Sequence, residues 1–210
     1  MNYKLSPLVL VLIFGFVGGY VDAASYVLAK TFTGHATGNS VLAAISLAER
    51  NWSQTATCTL AIIAYFTGIP LHVLLQRLGR RLPFLSLLQL ALLVEAVLIV
   101  IAISIERGGW HIREQLFIFS MALALGVQNA ALRKAGTVSV HTTFVTGLLT
   151  RFFVDEFEEP KHGADEPRML GFIWLSFVIG ALVSAVMTMR LHSAALFPLV
   201  AMLLGTALFV

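Results

Sequence analysis

Asp22 closes a run of seventeen residues, Leu5–Val21, that carries no charge, and a glycine- and threonine-rich stretch follows it. An ionised carboxylate in hydrocarbon must be paired, face a cavity or be protonated. Asp22 therefore reads as a proton- or cation-coupling group, or as a helix-end aspartate that caps the segment after it. Gly19-Tyr20-Val21-Asp22-Ala23-Ala24 lies over Gly126-Val127-Gln128-Asn129-Ala130-Ala131, so Asn129 is the neutral counterpart of Asp22 and Gln128 stands beside it.

Thr33, Thr37, Gly38 and Asn39 follow the first of these motifs; Thr142, Thr143, Thr146 and Gly147 follow the second. Glycine permits close approach and positive φ, while Thr and Asn can satisfy freed backbone groups or contact a ligand. Hydroxyl-assisted packing of small residues explains the Thr and Gly content equally well, though not Asn39. His35 and His141 sit beside these segments and are candidate proton shuttles. Glu95, in the middle of an apolar run, needs a partner or a cavity. His72 and Gln76 read as interface residues, and Arg77, Arg80 and Arg81 as a topology anchor.

The elements that carry these residues belong in a membrane. Of 210 residues, 58% are hydrophobic and 12% charged, and the mean hydropathy is +0.87. A soluble domain carries about 25% charged residues. This excludes a soluble enzyme, a nucleic-acid module and a disordered chain. The net charge of +3 is then a matter of orientation and not of nucleic-acid affinity. One cysteine, Cys58, leaves no internal disulfide or cysteine metal cage.

Six stretches approach the roughly 20 apolar residues that a spanning helix needs. They are Leu5–Val27, Ala56–Gln76, Leu82–Ile105, Gln115–Leu132, Met169–Met189 and Leu191–Val210. The first resembles a signal peptide, but its repeat partner lies mid-chain, so it is expected to stay as a span. Thr31–Ala48 and Thr137–Phe153 are short and hydroxyl-rich. With both non-spanning and the N-terminus inside, Lys4, Arg77, Arg80, Arg81, Arg133, Lys134, Arg151, Lys161 and Arg168 lie inside. Lys30, Arg50, Arg107, Arg113 and Arg190 then lie outside. With both as full spans the bases divide evenly, so the positive-inside rule favours six crossings plus two re-entrant segments over eight. The acidic stretch Asp155–Glu166 reads as a solvated linker.

The motifs at Gly19 and Gly126 are offset by 107 residues, those at Thr33 and Thr142 by 109. Phe66-Thr67-Gly68 falls over Val178-Ile179-Gly180 at an offset of 112. A single transmembrane domain of two repeats, about 5–105 and 115–210, follows. Three spans per copy invert the second, as in many secondary transporters.

GYVDAASYVLAKTFTGHATGN at Gly19–Asn39 and GVQNAALRKAGTVSVHTTFVTGLLTR at Gly126–Arg151 resemble the YoaK-like family of small bacterial membrane proteins. The two blocks, in order and spacing, extend the resemblance over nearly the whole chain. It implies a multi-spanning bacterial membrane protein and supplies no substrate.

The sequence thus predicts an all-α polytopic protein of the bacterial inner membrane, with both termini cytoplasmic and the lipid bilayer as its surroundings. The expected work is facilitated or proton-coupled passage of a small solute; the alternative is a non-transporting scaffold or partner subunit. The expected solute and ion site comprises Asp22, Asn129, Gln128, Thr37, Gly38, Asn39, Thr146, Gly147, His35, His141 and Glu95. No catalytic or metal-binding residue is assigned, because HExxH, P-loop, GxSxG and zinc-spaced Cys/His patterns are missing. No cofactor and no nucleic-acid partner are expected. At 22.8 kDa the chain is compatible with a homodimer.

Overall fold

In a computed structural model the described residues are 5–79, 85–108, 112–132 and 165–210, and they are all α-helical in architecture. Helix α1 covers Pro7–Ala29, α2 Ala36–Ala48, α3 Trp52–Gly79, α4 Leu87–Arg107 and α5 Arg113–Leu132. Helix α6 covers Asp165–Leu191, and a 3-10 turn, His192–Leu196, leads into α7, Phe197–Ala207. Four stretches are long and apolar enough to cross a membrane: Leu8–Ala29, Trp52–Arg77, Leu87–Arg107 and Met169–Ala207. The last contains both α6 and α7. Helix α5, with Arg113 and Glu114 in its first turn, is not among them.

Local chemistry sets several boundaries. Ser6 accepts from the Val9 N–H with Pro7 at the first helical position, which fixes the start of α1. Ser86 and Gln89 form a reciprocal capping box at the start of α4. Thr55, Thr57, Thr59 and Thr67 each donate to the carbonyl four residues earlier, so α3 carries its hydroxyls into apolar surroundings already satisfied. The stretch Leu191–Val210 is not one continuous helix: His192 adopts φ 51, the left-handed region, where α6 ends, and a 3-10 turn then leaves α7 with 11 residues.

Two crossings dominate the packing, α1 with α6 and α3 with α5. In the first, Ser176 donates to the Leu12 carbonyl and Ser184 to the Tyr20 carbonyl, both at 2.7 Å. Both helices advance by eight residues between these bonds, so they run parallel. In the second, Gln115 meets Ser53 and Asn129 meets Tyr65, so α3 and α5 also run parallel. Helix α5 is antiparallel to α1: Gln128 reaches the Phe14 carbonyl, whereas Leu28 and Ala29 share a small cavity with Arg113, Glu114 and Phe117. The start of α4 is tied to the end of α7 by the bond from Gln89 to the Ala207 carbonyl.

Glycines bring the crossing backbones together. A Cβ on Gly19 would overlap the Phe177 carbonyl, and one on Gly180 the Phe16 carbonyl. A Cβ on Gly126 would overlap the Tyr65 carbonyl, and one on Gly68 would lie 2.6 Å from Leu123 O. Outward faces are apolar: Phe66, Ile69 and Leu74 on α3 and Phe172, Leu182 and Met189 on α6 are exposed, as side chains facing lipid tails should be.

Candidate functional site

Helix α1 ends at Lys30, whose φ of 51 closes the last turn as its N–H bonds to the Tyr26 carbonyl. The chain then turns back. Asp22 lies about two turns inside α1, roughly 12 Å from its end at 1.5 Å per residue. Its buried carboxylate nevertheless holds the residues that follow the helix. Oδ1 accepts from the Thr33 N–H at 2.8 Å, the Thr33 hydroxyl at 2.9 Å and the Gly34 N–H at 2.8 Å. His35 Nδ1 lies 2.8 Å from Oδ2. Residues 31–35 must therefore descend alongside the last turns of α1 to reach that level.

A second clamp sets the start of α2. Asn39, fully buried, accepts from the Phe32 N–H at 3.0 Å and donates to the Phe32 carbonyl at 2.7 Å. Both polar groups of a non-helical residue are thereby satisfied, which is the role that glycine- and threonine-rich breaks require in a membrane. The chain leaves this segment where it arrived. Gln54, in the first turn of α3, donates to the Lys30 carbonyl at 3.0 Å and the Thr31 hydroxyl at 2.8 Å. Residues 30 and 54 are thus at one end of the bundle, with α2 between them.

His35 is the N-cap of α2 and the half-exposed member of the pair, with 31% of its side chain accessible against 4% for Asp22. Its ring lies 5.3 Å from that of Phe32 and 6.0 Å from that of Phe177 on α6. Hydrogen bonding to the Asp22 carboxylate, helped by its charge, raises the imidazole above its ordinary value, against a lowering by partial burial. The arrangement can bind and release a proton at the junction of α1, α2 and α6.

The other expected residues are distributed more widely. Asn129 is buried and donates to the Tyr65 hydroxyl at 2.8 Å, while Gln128 is buried and donates to the Phe14 carbonyl at 3.2 Å. The two neighbours thus reach different helices, and no hydrogen bond joins Asn129 to Asp22. Gly38 packs against Phe32 and His35. Thr37 is exposed, which sets it apart from the buried pair. Glu95 lies on the buried face of α4. His141, Thr146 and Gly147 lie outside the described residues. His72 is buried within the bundle, 2% exposed, and its Nε2 lies 3.0 Å from Gln76 Nε2.

Reading the residues alone misses Tyr65, Phe177 and Ser184. The offset of 112 residues carries the signal that would have found them, since it superposes Tyr65 on Phe177 and His72 on Ser184.

A family model described as a protein of unknown function (DUF1275) matches residues 10–209. The chain belongs to this family. One DUF1275 relative, the UPF0700 transmembrane protein YoaK of Bacillus subtilis (strain 168), is 24% identical over 138 residues. The match covers 65% of this chain and 61% of YoaK, so it spans less than two thirds of that relative's length. No solved structure matches. This DUF1275 chain is a multi-pass membrane protein, and the lipid bilayer is its surroundings.

Proposed function

We propose that the chain is a small-solute transporter of the bacterial inner membrane, built from two inverted halves, with the Asp22–His35 pair as its proton-responsive centre. The observation that supports this best is the correspondence between the two glycine crossings. Gly19 and Gly126 are 107 residues apart, and each faces a carbonyl, of Phe177 and of Tyr65, that are themselves 112 apart. Gly180 and Gly68 are 112 apart, and they face Phe16 and Leu123, which are 107 apart. These two glycine–carbonyl contacts of one crossing thus have counterparts in the other with the halves exchanged. Because α1 and α5 are antiparallel, the exchange reverses direction across the membrane, which is the symmetry used for alternating access.

In this reading α2 is a re-entrant helix that starts near the depth of Asp22 and returns to the side where α1 ended. Helices α1, α3, α4, α5 and α6 make five crossings, the 3-10 turn His192–Leu196 together with α7 makes the sixth, and the termini face the cytoplasm. Asp22 and His35 take up a proton, and Asn39 keeps the break open to a solute. The completeness of the bonding around Asp22 favours the alternative of a non-transporting scaffold.

Single cysteines at Ala36 and Thr37, in a Cys58→Ala protein, separate the two. Right-side-out and inverted vesicles are treated with a membrane-impermeant maleimide. A transporter labels from both sides, in proportions that change with pH. Labelling confined to one side at every pH would leave the scaffold.

A further inference from the structure

Glu95 is the second acid inside the bundle, and its environment is the opposite of that around Asp22. It is 1% exposed, about 12 Å in from the start of α4 and about 18 Å from its end at 1.5 Å per residue. Ala91, Leu92, Ala96 and Ile99 surround it on the buried face of that helix. Its Oε1 is buried without a hydrogen-bond partner.

Helix α4 packs against α5, α7, α3 and the 3-10 turn. The charged or titratable groups on those elements are Arg113 and Glu114 on α5, Cys58, Tyr65, His72 and Arg77 on α3, and His192 in the turn; α7 has none. Arg113 and Glu114 sit by Glu106, three turns along α4 from Glu95. The ion pair found among the described residues is that of His35 with Asp22, and none involves Glu95. A buried carboxylate without a counter-charge costs several kcal/mol, and a bound proton removes the charge.

A structural need would be met without that penalty by glutamine or leucine. Asp22 is held by four contacts, whereas Glu95 has no hydrogen bond or counter-charge among the described residues, so Glu95 is the acid that a bound proton stabilises.

We propose that Glu95 is a proton-binding site in the interior of the bundle, occupied as the neutral acid in this conformation. The site stands on its own surroundings and does not depend on the transport reading.

Dicyclohexylcarbodiimide, an apolar reagent that enters bilayers, tests it on the intact protein in membranes. The proton of a neutral carboxylic acid passes to a carbodiimide nitrogen and the carboxylate adds to the central carbon. The O-acylisourea so formed rearranges to a stable N-acylurea, which peptide mass spectrometry locates. Adduct is expected on Glu95 at roughly tenfold the level on Asp22, Glu106 or Glu114. Difference infrared spectra should show a protonated-carboxyl stretch that disappears in Glu95→Gln. An absence of adduct on Glu95, or an infrared carboxyl region unchanged in Glu95→Gln, overturns the proposal. Both readouts are independent of any solute, so one-sided maleimide labelling at residues 36 and 37 would sink transport and leave the Glu95 site standing.

Discussion

His35 Nδ1 and Asp22 Oδ2 lie 2.8 Å apart, although thirteen positions and a helix end separate the two residues along the chain. The contact joins a buried acid to a half-exposed base, so a change in the solution around His35 is felt inside α1. Two consequences of this contact, and two of the wider fold, can be measured.

Stability should depend on pH through this pair. The contact raises the His35 imidazole above its ordinary value, which is about 6.5 in model peptides. The stabilisation is therefore complete below about pH 6.5 and is lost as pH rises through the higher folded-state value. Thermal unfolding in detergent should show a falling melting temperature between about pH 6 and pH 8. His35→Gln and Asp22→Asn should each flatten that slope; a slope unchanged in both variants would assign it to other groups.

Asp22→Ala and Asp22→Asn should differ in kind. Alanine strands the Thr33 and Gly34 N–H groups, the Thr33 hydroxyl and His35 together. At about 1–3 kcal/mol for each unsatisfied buried group, the loss should exceed about 3 kcal/mol. Asparagine keeps an acceptor for the Thr33 and Gly34 donors and loses only the charge assistance, about 1–2 kcal/mol. In the proton-coupled reading it also abolishes pH-gradient-driven uptake in a protein that remains folded and inserted. Retained uptake would remove Asp22 from the coupling role.

The glycines should rank by their neighbours and by their place in the repeat. Gly19→Ala and Gly126→Ala each drive a Cβ into a carbonyl of the crossing helix. Overpacking of this kind costs about 1–3 kcal/mol or more. Gly205→Ala meets nothing within 4 Å and should change stability by less than about 0.5 kcal/mol. If Gly19→Ala proves harmless while Gly126→Ala is damaging, the two crossings are not equivalent.

Orientation can be read from one-cysteine proteins in a Cys58→Ala background. Cysteines at Arg50 and Gly108 should label from the periplasm with an impermeant maleimide, and a cysteine at Gly79 only from the cytoplasm. Labelling of position 79 from the periplasm would contradict six crossings.

Much of the helical layout is visible in the sequence, because apolar length, the Ser6 and Ser86 caps and the small-residue face around Gly15–Gly19 are local signals. Gly15 and Gly19 both pack against α6. Asp22 stands out because charge is rare among its neighbours. What its carboxylate holds is not visible: the partners lie eleven to thirteen residues on, across a turn whose geometry depends on Lys30 adopting φ 51. The sequence makes Asn129 the repeat counterpart of Asp22, but that its amide donates to the Tyr65 hydroxyl is not visible there. The burial of His72 is likewise not legible, because it is settled by which helix lies alongside. The break after α6 is legible, since Arg190 and His192 interrupt the apolar run where the helix ends, but the 3-10 turn that follows is not.

The crossing of α1 with α6 also has a meaning for how the chain is made. The bond from Ser184 to the Tyr20 carbonyl spans 164 residues. At synthesis rates of about 5–20 residues per second, α1 waits on the order of ten seconds in the bilayer before its partner leaves the ribosome. During that interval its glycine groove is open to lipid and to other nascent helices. A premature stop ahead of α6 would leave that groove permanently unfilled. Quality-control proteases that survey the membrane should therefore recognise such a truncated chain as an orphan, even though its first helices have inserted correctly.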